Sequence, residues 1–265
     1  MKSNLYLMMI AGAVLLGCYQ KTETPEQSIP AREHSVQSVL WQQQSAEYKA
    51  LCYQAYNLAG VYLDKALDQQ SASKKPLAII TDIDETVLDN SPYNARMIEK
   101  DIEYSSATWA EWVKREEATS VPGAFEFFNY AASKGVKVFY ISNRSVTETA
   151  ETISNLKKLN YPYADSTHLL LKDQTSKKQS RRNIVLQTHE VIMYLGDNLS
   201  DFSEMFDGTD RDSNLDSIRS KLGFEYIVLP NPMYGDWETK GIYEGRYDWT
   251  SQQKDSIRRA NLRSY

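Results

Sequence analysis

Cysteine is almost missing from this chain: Cys18 and Cys52 are the only two in 265 residues. A small fold stapled by several disulfides is therefore excluded. Histidine is nearly as scarce, and His34, His168 and His189 are too scattered to offer a two-histidine zinc spacing, so they read as structural. There is no tract of lysine or arginine, and the formal charge of -5 with a pI near 5.4 speaks against a nucleic-acid partner, because that surface needs a basic face to neutralise phosphates. A Gly-x-Ser-x-Gly elbow, an Arg-His-Gly triplet and a glycine-rich loop ending in Gly-Lys-Ser or Gly-Lys-Thr are also absent. The common serine, histidine and P-loop routes to hydrolysis go with them. Cys52 has no arginine five residues on, as a cysteine phosphatase would need, and it reads as a small buried hydrophobe in its apolar stretch. No internal repeat or low-complexity array interrupts the chain.

What is there suits a globular protein, with 42% hydrophobic and 25% charged residues in a length that fits one large domain or two small ones. At the start, Lys2 precedes an apolar stretch from Leu5 to Leu16, shorter than the roughly 20 residues a membrane-spanning helix needs. Leu15-Leu16-Gly17-Cys18 follows, and it resembles the lipobox of bacterial lipoproteins. That resemblance implies cleavage before Cys18, lipidation of its thiol, and an exported domain anchored to a membrane of the cell envelope, with the outer membrane expected. Residues 1–17 are then a signal peptide and 18–34, rich in Thr, Glu, Pro, Gln and Ser, a flexible tether. Residues 35–265 remain for the folded domain.

From Ser35 to Leu67, Val36, Val39, Leu40, Ala46, Leu51, Ala55, Leu58 and Tyr62 recur at near-helical spacing without proline, predicting one or two amphipathic helices. Beyond Pro76 the pattern changes to short apolar runs: Leu77 to Ile80, Val136 to Ile141, His168 to Leu171, Val191 to Leu195, and Tyr226 to Leu229. Helical stretches such as Ala124 to Ser133 and Val146 to Leu159 lie between several of them. Strands alternating with helices predict an α/β fold, an open parallel sheet covered on both faces in three layers.

In such a sheet the ligand sits beyond the carboxyl ends of the strands, where strand order reverses. Polar residues gather at those ends. Asp82 and Asp84 follow the first strand, Ser142, Asn143 and Arg144 the second, and Asp197, Asn198 and Asp201 the fourth. Four carboxylates in one small pocket would raise one another's pKa or force the site open. A hard divalent cation resolves the conflict, and Mg2+, which takes carboxylate and carbonyl oxygens and keeps positions for water and phosphate, is the expected ion. With other nucleophiles eliminated, Asp82 becomes the candidate for an acyl-phosphate route.

Asp82-Ile83-Asp84-Glu85-Thr86 resembles the first motif of the haloacid dehalogenase (HAD) superfamily. More narrowly, Ile83 to Asn90 with Tyr93, and Leu195 to Phe202, resemble the paired signatures of class C acid phosphatases, which are bacterial lipoproteins. The likeness runs from about Ser35 to the C-terminus. It implies a HAD-like, Rossmann-like fold with N-terminal helices and a small helical cap inserted at about 88–121. Asp82 would attack phosphorus and Asp84 would protonate the leaving oxygen. Mg2+ would bind the Asp82 and Asp197 carboxylates and the Asp84 carbonyl, with Asp201 and Asn198 supporting it. Ser142, Asn143 and Lys178 would hold phosphate, the last chosen over Lys177 by its place three residues before the Arg181-Arg182 pair. Tyr93, Trp109, Arg144 and Tyr234 would meet the leaving group.

The activity implied is that of a magnesium-dependent acid phosphatase acting on nucleoside 5'-monophosphates and other small phosphomonoesters. A homodimer is compatible with this reading. The alternative from another class is a lipid-anchored nucleotide- or haem-binding surface protein on an idle HAD scaffold, against which the presence of all four aspartates counts.

Overall fold

A computed structural model describes residues 30–69 and 75–265. The expected signal peptide, Cys18 and the tether up to residue 29 lie outside the described residues.

Two helices open the fold, α1 (Val36–Gln44) and α2 (Ala46–Asp68). Extended backbone at Ser45 separates them, and its hydroxyl caps α2 by accepting the Tyr48 N–H at 3.0 Å, as an N-cap serine should. The buried stripe of α2 is Tyr48, Cys52, Tyr56, Ala59 and Leu63. That differs from the sequence expectation: Leu40, Leu51 and Leu58 are exposed, and Ala55 and Tyr62 only flank the core. Small residues at 52 and 59 let the helix approach closely, while the tyrosines bring most of the buried area.

After α2 the chain forms β1 (Leu77–Thr81), β2 (Leu88–Asp89), α3 (Ser91–Lys100), α4 (Ser106–Arg115), β3 (Thr119–Ser120), α5 (Ala124–Ser133), β4 (Lys137–Ser145) and α6 (Thr149–Lys158). Then come β5 (Leu169–Lys172), α7 (Gln179–Thr188), β6 (Glu190–Gly196), α8 (Arg211–Ile218), β7 (Tyr226–Val228), α9 (Asp236–Thr239) and α10 (Ser251–Ala260). Five strands make one parallel sheet in the order β5-β4-β1-β6-β7. The chain thus builds outward from β1 on one side and returns to the other, so the reversal of strand order falls at β1. All five residues of β1 are buried, as a central strand covered on both faces requires.

Alternate residues of the strands serve opposite layers. Leu77, Ile79, Val138, Tyr140, Met193 and Leu195 join the core beneath α2, α5 and α6. Ala78, Ile80, Phe139 and Ile141 pack with Val185 of α7 on the other face. Helix–sheet–helix layering follows from that two-residue period. No helix among the described residues is long and apolar enough to cross a membrane.

The segment between β1 and β4 carries the insertion. Its base is a two-stranded antiparallel ribbon, Leu88 opposite Ser120 and Asp89 opposite Thr119, from which α3 and α4 project. The N-terminal segment touches this insertion too: the Arg32 N–H donates to Asp101 at 3.1 Å and its guanidinium lies 3.7 Å from Glu103. The second sheet strand, expected to stop at Ile141, continues to Ser145 with an irregular register against β5. Ser142, Asn143 and Arg144 therefore belong to the strand and inherit its alternation: Ser142 and Arg144 are buried and Asn143 faces solvent.

Candidate active site

At the carboxyl end of β1 the chain enters a tight loop. Its Leu88 and Val87 N–H groups both donate to the Ile83 carbonyl at 2.8 Å, and Glu85 adopts a left-handed φ of 58°. This conformation is uncommon for a residue with a side chain. It turns the carboxylates of Asp82 and Asp84 inward while Ile83 fills the core.

Asp82, Asp197 and Asp201 converge, each offering an oxygen within 4.8 Å of the others'. Gly196 makes room for them, since a Cβ there would collide with the Asp201 carboxylate. Asp201 was expected only to support the metal ligands, but its oxygen stands in the cluster with theirs. An all-carboxylate donor set suits a hard divalent cation. Lys178, at the start of α7, reaches into the same space, bonding Asp82 and lying 2.7 Å from Asp201. Lys177 beside it is exposed, so the geometry separates the two lysines. Burial pushes the Asp82 carboxyl up to about 7, with Asp201 and Asp84 adding to the rise against the pull of Lys178. Burial, then Asp201 and Asp82, push Asp197 well above the usual carboxylate range. Burial opposes charge on Lys178, yet Asp201 and Asp82 more than offset it and hold the ammonium form.

Asp84 is gripped separately. Its Oδ2 accepts the Ser142 hydroxyl at 3.0 Å, and its Oδ1 accepts Arg144 Nε at 3.0 Å and Asn90 Nδ2 at 2.9 Å. Arg144, expected to meet the leaving group, thus spends its guanidinium on Asp84, Asn90 and Thr152, with its cationic face near the Trp109 ring, 5.6 Å from the centroid. Asn143, expected at phosphate, accepts Arg181 at 2.7 Å. Asn198 donates to Asp197 at 2.8 Å and accepts the Asp236 N–H at 2.8 Å, which places it in a supporting position.

The aromatic residues divide. Tyr93 is buried, its hydroxyl paired with Thr108 at 3.0 Å, and packs edge-on to Trp109 with centroids 5.0 Å apart. Trp109 is half-buried. Tyr234 donates its hydroxyl to Glu85, so the loop after β7 straps across to the β1 loop. Asn231 strengthens that strap by donating to Asp197 at 2.8 Å.

Several of these partners were not singled out from sequence. Arg181 and Arg182 are buried and bind main-chain carbonyls, Arg181 that of Ser142 and Arg182 those of Ser200 and Asp201. They fix α7, and hence Lys178, against two strand ends. Glu85 and Asn90 lie inside the first motif and Asn231 lies after the last strand, and none of them carries a sequence expectation. The histidines sit outside this constellation: His34 pairs with Ser35, His168 with Asp165 and His189 with Thr188.

With this geometry in hand, comparison with known proteins gives a consistent picture. The chain has a TM-score of 0.85 to the class C acid phosphatase from Bacillus anthracis, at 38% identity over 89% of this chain and 100% of that one. The same Bacillus enzyme with tungstate bound matches at 39% identity with the same score. A stem 31 kDa glycoprotein of Glycine max is 29% identical over 158 residues, and acid phosphatase 1 of Solanum lycopersicum is 26% identical over 163. The chain spans 57% of the length of each of these plant relatives. A family model described as HAD superfamily, subfamily IIIB (acid phosphatase), matches residues 17–237, and to that family the chain belongs.

Proposed function

We propose that the protein is an acid phosphatase, a Mg2+-dependent phosphomonoesterase that works through an aspartyl phosphate and accepts nucleoside 5'-monophosphates among other small esters. One observation carries this reading: Asp82, Asp197 and Asp201 meet at a sheet's switch point with Lys178 between two of them. Tungstate, an oxyanion like phosphate, in the similar Bacillus enzyme supports it.

In this reading a carboxylate oxygen of Asp82 attacks phosphorus in line, forming an acyl phosphate as the bond to the leaving oxygen breaks. Asp84 gives that oxygen its proton, then takes one from the water that cleaves the acyl phosphate. Lys178 would hold a phosphoryl oxygen, the Ser142 hydroxyl, which donates to Asp84 Oδ2 in the free site, would turn to one only on substrate binding, and the strap through Tyr234 and Asn231 would limit entry of bulk water. Asp82, Asp197 and Asp201, with the Asp84 carbonyl, would hold Mg2+, which would supply charge neutralisation for the phosphoryl group. Trp109, exposed on one side beside Tyr104, would stack a flat leaving group.

The lipobox-like Leu15-Leu16-Gly17-Cys18 supports a placement in the cell envelope. Residues 1–17 would be removed, Cys18 lipidated, 18–34 would tether residues 35–265, and the cap would span 88–121, on an exported protein anchored to the outer membrane. Homodimerisation is compatible with the activity. The binding-protein alternative loses ground because no carboxylate of the cluster is missing.

Substitution of Asp82→Asn tests the reading. We expect hydrolysis of p-nitrophenyl phosphate to fall by at least about 10³-fold, as for loss of a covalent nucleophile, and chelator to abolish the wild-type rate. Full activity in the variant, or indifference to chelator, would refute it.

A further inference from the structure

We propose that Asn90 is the positioning residue for Asp84, joining that carboxylate to Arg144 of the sheet and to Trp112 of the cap. The inference rests on the reading of Asp84 as the proton donor to the leaving oxygen. Asn90 is fully buried and every polar atom of it is engaged. Its Nδ2 donates to Asp84 Oδ1 at 2.9 Å. Its Oδ1 accepts the Trp112 indole N–H at 2.8 Å and a guanidinium N–H of Arg144 at 3.3 Å. Its main chain is fixed as well, the N–H donating to Glu85 at 2.8 Å and the carbonyl accepting the Tyr93 N–H at 3.0 Å.

A particular division of labour between the Asp84 oxygens results. Oδ1 takes Asn90 and two nitrogens of Arg144, at 2.9 and 3.0 Å, so its lone pairs are occupied. Oδ2 faces a single hydroxyl, that of Ser142. The proton passed to the leaving group is therefore carried on Oδ2, and Asn90 with Arg144 fixes which oxygen that is. A flexible carboxylate without such support loses the alignment on which proton transfer depends. Trp112 extends the arrangement, because α4 cannot shift without disturbing the acceptor side of Asn90.

Proton donation matters most for poor leaving groups, so the dependence of rate on the leaving group reports it. In the full chain with Mg2+, kcat/KM is measured for a series from p-nitrophenyl phosphate through phenyl phosphate to glycerol 2-phosphate. Wild type is compared with Asp84→Asn, Asn90→Ala and Trp112→Phe. We expect Asn90→Ala to lose about 10-fold more activity on glycerol 2-phosphate than on p-nitrophenyl phosphate, a fraction of what a general acid supplies. Trp112→Phe should show the same tilt at about 3-fold. Partial unfolding lowers every substrate by one factor and leaves the tilt unchanged. If Asp84→Asn tilts the series while Asn90→Ala and Trp112→Phe do not, the role of Asn90 is overturned and Asp84 keeps its own. If Asp84→Asn shows no tilt, the reading of Asp84 fails first. Should Asn90→Ala not fold, Trp112→Phe decides, and an untilted series from it overturns the proposal.

Discussion

The floor of the site and its cap are built on opposite plans. Lys178 on the floor is 6% exposed, while Tyr104 in the cap is 59% exposed. Floor side chains are held by charge-assisted bonds from several strand ends, as Asp84 is by Arg144, Ser142 and Asn90. The cap relies on ring edges, Tyr93, Tyr104 and Trp109 packing at 5.0 to 6.4 Å with few polar ties. The phosphoryl group is the same in every substrate, and a fixed set of charges suits it. Leaving groups vary, and aromatic faces tolerate variation.

Breaking the floor should have the largest effect in this comparison. Lys178→Met removes the cation shared by Asp82 and Asp201. Activity should fall by about 10²- to 10³-fold, the loss seen when one transition-state donor is removed. Two buried carboxylates also lose their partner, which destabilises by about 3–5 kcal/mol. Thermal unfolding with and without Mg2+ separates the effects: the cation should recover part of the stability and none of the rate. Lys177→Met is the control, and it should stay within about 2-fold because that side chain is exposed, where substitutions cost little. Equal losses from both lysines would erase the distinction between them.

A second test of the floor uses pH. Asp82 titrates at about 7 in the fold and near 3.9 when unfolded. Between those values the native state binds more protons than the unfolded one, so stability falls as pH rises through that window. Asp197 and Glu85, both raised by burial first, act in the same direction. Asp165, lowered by its bonds to His168 despite burial, acts oppositely but only below the ordinary carboxylate range, and His34 and His189, both lowered chiefly by burial from 6.5, oppose the trend in part below that value. Chelator-treated protein should therefore melt lower at pH 8 than at pH 5, by about 3–10 °C for a change of about 1–3 kcal/mol. Mg2+ should shrink the difference. A melting temperature that rises from pH 5 to pH 8 without the cation would contradict the burial of these groups.

The same contrast explains what the sequence made legible. Asp82, Asp84 and Asp197 could be placed because strands announce themselves by apolar runs, and a carboxylate just past one has few structural excuses. The parallel order followed from alternation of elements. Glu85 and Tyr234 could not be paired, because their contact joins residues 149 positions apart and no local pattern encodes it. Arg144 reads from sequence as a leaving-group contact because the apolar run ends at Ile141, whereas four more residues of β4 bury it beside Asp84. The buried face of α2 is hard to read in sequence because tyrosine carries both an apolar body and a polar tip, so a stripe of Tyr48, Cys52 and Tyr56 does not look apolar.

The cap yields the smallest effect and the sharpest discrimination. Trp109 touches Tyr93 and lies 5.6 Å from the Arg144 guanidinium, so it has two possible jobs. If it stacks a nucleobase, Trp109→Ala raises KM for nucleoside 5'-monophosphates about 10-fold, within the 1–3 kcal/mol that base stacking contributes. In that case kcat is kept and KM for glycerol 2-phosphate barely moves. If its main work is to hold Arg144 by a cation–π contact of about 0.5–1 kcal/mol, the two substrates suffer alike and the loss appears in kcat, through Asp84. Trp109→Phe should restore most of the nucleotide affinity in the first case, because a smaller ring still offers a face. A uniform loss that Phe does not repair would move Trp109 from the leaving group to the floor, and the division between the two regions would then run through the cap itself.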